Sequence, residues 1–512
     1  MKRKFLLLTI AMTVLMAVST PLTAMAADNN DDYLHTDGSK ILDANGKEVR
    51  LTGIAWFGNE TPNYGFHGLW ANTYQNLLNI VADNGFNILR VPLSVELVNK
   101  WRTGEPPMSD SINDYIAPDL KGKNSLDIMD LVVSYCKKVG LKVMFDMHRV
   151  ESGGQTNTWF TSKYSTDDYE KCWEFIAERY KNDDTVIAAD LFNEPHGKAY
   201  RKEQCAKWDD STDETNWKYE VEKVSKKILE VNPNLLVVVE GVETYPREGY
   251  TYSDSGKHAY YGGWWGGNLR GVKDYPVDLG VNTNKVIYSP HDYGPTVSAQ
   301  SWFEGDFTTE TLTRDCWGPS WLYIAKQNIA PILIGEWGAI LDGGKNQAWF
   351  EDLAELIEEN NLNHTFWCLN PNSGDTEGIL GYDFATIDQK KLDIVKPTLW
   401  QDENGKYIGL DHKVNLGANG THVMGDVNVP DNPTPEPNPV PDVNVLLGDI
   451  DNNGKINVKD LLTLRQYVAG EDIEINEKAA DVNGDGTINM LDYVQLKLYL
   501  SKAITSFQSN TK

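Results

Sequence analysis

Short apolar runs recur through residues 51–368, each followed by a loop and then by a segment whose apolar positions return at helical spacing. The runs are 51–56, 87–92, 142–147, 186–192, 235–241, 285–289, 331–335 and 364–368. They are too short for helices and apolar on both faces, the pattern of strands buried within a parallel sheet. Between them, 74–84, 126–139, 169–180, 217–231 and 347–360 read as amphipathic helices. Eight strands alternating with helices predict an α/β fold, a closed (β/α)8 TIM barrel. An open doubly wound sheet is the alternative, but no Gly-rich phosphate loop follows the first strand. Ahead of the barrel, residues 33–50 predict a hairpin turning at Asp43-Ala44-Asn45-Gly46.

This pattern stops at both ends of the chain. Lys2-Arg3-Lys4, an apolar run over 5–18 and Ala24-Met25-Ala26 make a secretory signal peptide over 1–26. A membrane anchor is the alternative; the run is short for a span and no other stretch approaches spanning length. The mature protein is therefore expected to be secreted and extracellular. After Trp400 the alternation dissolves into Gly, Asn and Asp, and 430–441 carries a proline at almost every second position. Such a segment is an extended spacer. The expected domains are the signal peptide 1–26, a barrel over 33–403, a Pro-rich linker over 404–446 and a small module over 447–507.

Composition narrows the partners. A formal charge of −27 disfavours nucleic acid and anionic membrane as partners. Sixteen Trp and twenty-four Tyr include many core residues, and those left over supply flat faces on which sugars pack. The five cysteines are irregularly spaced, without a CxxC pair, and predict neither a zinc site nor a disulfide framework; one incidental pair stays open.

The strand ends carry the candidate chemistry. In an α/β barrel, catalytic groups sit at the C-terminal ends of the strands. Here Arg90 lies in the second, His148 closes the third, Asn193 and Glu194 close the fourth, His291 and Tyr293 follow the sixth, Glu336 ends the seventh and Trp367 lies in the eighth. Each alone has a structural reading, as a satisfied core His or a buried ion pair. Six converging on one face point to a site. Two glutamates closing two buried strands suit a retaining glycosidase, whose carboxyls lie about 5–5.5 Å apart.

The motifs Trp56-Phe57-Gly58-Asn59-Glu60-Thr61, His67-Gly68-Leu69-Trp70, Asn193-Glu194-Pro195, Trp264-Trp265-Gly266-Gly267-Asn268-Leu269, His291-Asp292-Tyr293 and Gly335-Glu336 resemble glycoside hydrolase family 5. The resemblance spans about 33–400 and is closest to the branch of bacterial endo-β-1,4-glucanases. It implies Glu194 as acid/base, held protonated, and Glu336 as nucleophile, without a catalytic cofactor. Arg90 and Tyr293 would keep Glu336 ionised, Asn193 would meet the sugar 2-hydroxyl, and His148 and His291 would bind a hydroxyl or orient Glu194. Trp367 would floor the sugar ring, with Trp70, Trp264 and Trp265 as further platforms. Leu369 stands where that branch carries a second Trp, so one outer platform is expected to be missing. Mannanase, xylanase or mixed-linkage glucanase activity fits the same fold. A non-catalytic sugar-binding barrel is disfavoured by the presence of both glutamates.

The terminal module is a duplication. Asp449, Asp451, Asn453, Asn457 and Asp460 occupy loop positions 1, 3, 5, 9 and 12, with Gly454 at 6; Asp481, Asn483, Asp485, Asn489 and Asp492 repeat them around Gly486. Oxygen ligands at these spacings around a turn glycine are those of a calcium loop, although position 12 is Asp where an EF-hand has Glu. Paired loops after a Pro-rich linker resemble a type I dockerin. That implies two Ca2+ and docking to a cohesin of a cellulosomal scaffoldin. A purely structural scaffold role is disfavoured, since no cohesin is recognisable. The following helices align Leu464 with Leu496, Arg465 with Lys497 and Tyr467 with Tyr499, whereas positions 10 and 11 differ, Val458-Lys459 against Met490-Leu491.

Overall fold

The computed structural model describes residues 31–423 and 446–507, apart from 452, 454, 469–472, 474, 485–486 and 503–506. The expected signal peptide and the proline-rich run 430–441 lie outside the described residues. Eight parallel strands form one sheet: Thr52–Ala55, Ile88–Ser94, Lys142–Arg149, Val186–Asp190, Leu236–Glu240, Val286–Ser289, Leu333–Ile334 and Asn363–Phe366. The first pairs with the second and the eighth. The sixth and seventh meet through a Tyr288–Ile332 bridge, where Tyr288 N–H donates to the Pro331 carbonyl at 3.1 Å, and this closes the barrel. Each expected strand is present. The fourth ends at Asp190 rather than Phe192, so Asn193 and Glu194 stand on the loop beyond it.

Helices start where the chain can satisfy their orphan N–H groups. Asn124 and Asp127 cap Ser125–Lys138 reciprocally, and Ser165 and Asp168 do the same for Thr166–Arg179. Helical stretches at Val95–Arg102, Thr313–Leu322 and Gln389–Val395 escape the periodic reading. Val95–Arg102 is short, and Thr313–Leu322 is wound in wide turns around Pro319, which has no N–H to give. The main apolar core lies between the sheet and the helices. A second core fills the barrel's lower interior with Ile88, Met144, Ile187, Leu236, Val238, Ile287 and Leu333.

The barrel floor corrects two expectations. Residues 35–49 form a three-stranded antiparallel sheet, not a simple hairpin, because Gly38 adopts a left-handed conformation and supplies a second turn. Residues 404–423, expected to begin the linker, instead pack across the bottom, burying Leu410, Leu416 and Val423. A tight turn leads into them, where Asp402 accepts from the N–H groups of Asn404 and Lys406. The two terminal segments are tied together by charge. Lys142, fully buried, pairs with Asp32 and with Asp411 at 2.9 Å. His412 donates its backbone N–H to Asp32 at 2.9 Å, and its ring contacts Asp32 and, at 3.0 Å, Asp43.

The terminal module has helices at Val458–Val468, Glu477–Ala480 and Met490–Leu500 around Ile450, Leu464, Ala480 and Leu496. The aligned Leu464 and Leu496 are thus paired core residues.

The His412 contacts make stability depend on pH. The hydrogen bond to Asp32 raises the His412 pKa above its ordinary value, against the effect of burial. A group with a raised folded pKa stabilises fully below its unfolded pKa, and this is lost as pH rises through the folded value. His412→Gln should lower the barrel's urea midpoint more at pH 5.5 than at pH 8.5. An equal loss at both pH values would contradict this assignment.

Candidate active site

Side-chain alternation along the strands sets the height of each inward group. On four strands, the next inward position above an apolar residue of the lower barrel is polar: Arg90 above Ile88, Asp146 above Met144, Asp190 above Ala188 and Glu240 above Val238. All four are fully buried. The Arg90 guanidinium fastens them, with Nε donating to Asp190 at 2.8 Å and Nη2 lying 3.1 Å from Asp146 and 3.3 Å from Glu240. It also donates to Glu336 at 2.5 Å and to the Asn193 side-chain oxygen at 2.9 Å.

One cation among four carboxylates cannot keep all of them ionised. Burial pushes Asp146 up to about 7 and Asp190 up to about 6, against the pull of Arg90. Burial also raises Glu240. Glu336 goes the other way: burial would raise it, but His291, Arg90 and the Tyr293 hydroxyl, which donates at 2.7 Å, hold it at about 2. His291 lies 3.0 Å from Glu240, 3.2 Å from Glu194 and 3.6 Å from Glu336. Burial opposes its charging, but Glu240 and Glu336 outweigh burial and raise its pKa. His148 is neutral because burial drives its pKa down, and its Nδ1 bonds Asp146 at 2.7 Å.

Glu194 has φ +54°, a left-handed conformation that a non-glycine residue adopts only when its surroundings enforce it. Its N–H donates to Glu240 at 2.7 Å, and its carboxylate meets His291. This aims the side chain across a cleft of about 790 Å3 lined by Glu194, Glu336, His148, Tyr293, Trp264, Trp265 and Trp367. Oxygens of Glu194 and Glu336 lie within 4.8 Å of each other. Trp367 is nearly parallel to His148 on one neighbour and Phe57 on another, at 12° and 10°.

The predicted residues fall into three positions. Seven line the cleft, whereas Arg90, Asn193 and His291 are buried just behind its lining, in contact with Glu194, Glu336 or Arg90. Trp70 lies off the cleft, 38% exposed and packed on His67 and Phe384. Leu369 is buried in the main core, so that position offers no platform whatever its neighbours. The sequence reading missed Asp146, Asp190 and Glu240. Glu240 ends the fifth strand as Glu336 follows the seventh, a signal of the same kind. It also passed over Glu60 and Arg149, both in the cleft wall; burial pushes Glu60 up to about 7.

In the terminal module, carboxylate oxygens of Asp449, Asp451 and Asp460 lie within 4.8 Å of one another. Asp460 also accepts from the N–H groups of Ile450 at 2.8 Å and Asn457 at 2.8 Å, holding the loop around it. Asp492 does the same for Asn483 and Asn489. Asn453, Asn457, Asp481, Asn483 and Asn489 lie on these loops, and Asp485 is outside the described residues.

A family profile described as cellulase, glycosyl hydrolase family 5, matches residues 42–373, and a type I dockerin domain profile matches 447–501. The chain is 46% identical to Endoglucanase G of Acetivibrio thermocellus over 88% of each chain. It is 38% identical to Endoglucanase B of that organism over 93% of this chain and 94% of the relative. A solved complex of an endocellulase from Pyrococcus horikoshii with cellotetraose has 33% identity and a TM-score of 0.65, over 72% of this chain and 98% of that one.

Arg90→Met should destabilise the barrel by about 3–5 kcal/mol at pH 7, because it leaves buried carboxylates without their counter-charge. The loss should shrink as pH falls and Asp146 and Asp190 protonate. Urea titrations at pH 7 and pH 5 read both; a loss that grows toward pH 5 would contradict the network.

Proposed function

This chain belongs to glycosyl hydrolase family 5 and carries a type I dockerin domain, and from that premise we propose a secreted, retaining endo-β-1,4-glucanase that cleaves internal bonds of cellulose or related β-glucans. The observation that carries it is the pair Glu194 and Glu336, whose oxygens approach within 4.8 Å across an open cleft. That spacing suits direct attack and leaves little room for an intervening water.

The reaction runs in two displacements. An ionised Glu336 oxygen attacks the anomeric carbon, the bond to the leaving oxygen breaks, and Glu194 gives its proton to that oxygen. Glu194 then takes a proton from water, whose oxygen attacks the same carbon and releases Glu336. Arg90 and Tyr293 fix the nucleophile's two oxygens separately, at 2.5 and 2.7 Å, so that it is aimed as well as charged. Asn193, with an unpartnered buried amide nitrogen, has a donor for the sugar 2-hydroxyl. Trp367 floors the reacting ring, and Trp264 and Trp265 extend the binding surface. The relatives' endoglucanase names and the cellotetraose complex support β-1,4-glucan over mannan, xylan and mixed-linkage glucan.

The dockerin would hold two Ca2+ through its Asp and Asn loops, a hard-oxygen donor set suited to that ion, and would bind a cohesin module of a scaffoldin. Such placement outside the cell agrees with the expected signal peptide. Among the described residues no helix is long and apolar enough to cross a membrane.

Glu336→Gln should lower kcat on a soluble β-glucan by about 10³-fold or more with an unchanged fold. Proton NMR of the first product should show the β-anomer; an α-anomer appearing first excludes double displacement. Separately, EDTA should abolish cohesin binding in a native gel while hydrolysis continues, since bound metal is folding energy for such loops. Cohesin binding that survives EDTA would remove calcium from the account.

A further inference from the structure

Trp265 is 41% exposed in the cleft wall, and one face of its indole is covered. The covering group is the imidazole of His196, at 3.8 Å between ring centres and 7° between planes. His196 is buried, and its Nδ1 hydrogen-bonds the backbone carbonyl of Glu194 at 2.7 Å. Its backbone N–H donates to the Asn157 carbonyl at 3.1 Å, and its carbonyl accepts from Ala206 at 2.8 Å, so the backbone that carries the ring is held on both sides. The next residue of the tryptophan loop, Gly266, is left-handed and packed so closely that a Cβ there would lie 3.2 Å from the Glu194 Cα. Gly266 also donates to the Pro195 carbonyl, and its own carbonyl accepts from Gly241 at 2.8 Å. The Trp265 platform and Glu194 are thus built on one bonded unit, whereas Trp367 is supported separately by Phe57 and His148.

We propose that His196 is a positioning residue that holds Trp265 as the platform for the leaving-group sugars, in fixed register with Glu194. The inference rests on Glu194 being the proton donor. The donor must reach the leaving oxygen, so surface mounted on its own loop faces the sugars on that side of the bond. A neutral imidazole stacked on the indole keeps the platform flat without adding charge, and burial lowers the His196 pKa. An indole with one face fixed by a parallel ring offers its other face to the apolar face of a glucosyl unit.

The test compares cellopentaose, which reaches the platform, with an aryl β-cellobioside, whose small phenol does not. His196→Ala should lower the ratio of kcat/KM on cellopentaose to that on the aryl cellobioside by about 2- to 10-fold, with the loss mainly in KM. His196→Phe, which restores the stack without the hydrogen bond, should recover most of the ratio. Adding His196→Ala to Trp265→Ala should lower the ratio no further, because both changes remove one interaction. An unchanged ratio, equal losses from Ala and Phe, or additive losses would each overturn the proposal. Glu194→Ala assayed on 2,4-dinitrophenyl cellobioside with azide tests the underlying assignment independently. Rescue by azide supports Glu194 as the proton donor; failure of rescue removes that premise whatever the His196 variants do.

Discussion

The barrel's upper interior depends on the burial of Arg90. A guanidinium removed from water costs several kcal/mol unless opposite charge and hydrogen bonds surround it. Arg90 has carboxylates on Asp146, Asp190, Glu240 and Glu336, and the Asn193 amide oxygen. These groups come from the second, third, fourth, fifth and seventh strands or their extensions, so satisfying one side chain fixes the relative height of most of the barrel. The apolar layer beneath excludes water from below, and the charges can be met only by one another.

The same arrangement divides the carboxylates by protonation. Asp146, Asp190 and Glu240 are buried deeply enough that desolvation wins and their pKa values rise. Glu336 lines the cleft, where Arg90, His291 and Tyr293 converge, and there attraction wins. Glu336 is thus kept ionised through the neutral range by Arg90, His291 and the Tyr293 hydroxyl. Glu194 is placed by backbone rather than by charge, through its left-handed φ and its N–H bond to Glu240. At the opposite end, the Lys142, Asp32, Asp411 and His412 contacts join both chain segments to the floor. Val423 packs in the lower core, on the side away from the cleft.

Short continuous apolar runs and period-3.6 apolar patterns were enough to read the fold, because burial of strands and helices imposes them directly on residue choice. Glu194 and Glu336 were legible for a related reason: a carboxylate after a doubly buried strand has few structural uses. The duplicated Asp and Asn spacings marked the terminal loops in the same local way, since one short loop supplies the ligands.

What tertiary structure alone decided was partnership. Asp146, Asp190 and Glu240 look like ordinary strand residues until Arg90 reaches all three, and His196 is unremarkable until Trp265 folds onto it. Trp70 and Leu369 have the right chemistry or position in the chain, yet one sits off the cleft and the other in the core. Residues 404–423 have a linker's composition and a domain's packing, because Gly, Asn and Asp serve tight turns as readily as loose chain. Local periodicity records whether a residue is buried; which distant charge or ring it meets depends on barrel closure, and no local pattern carries that.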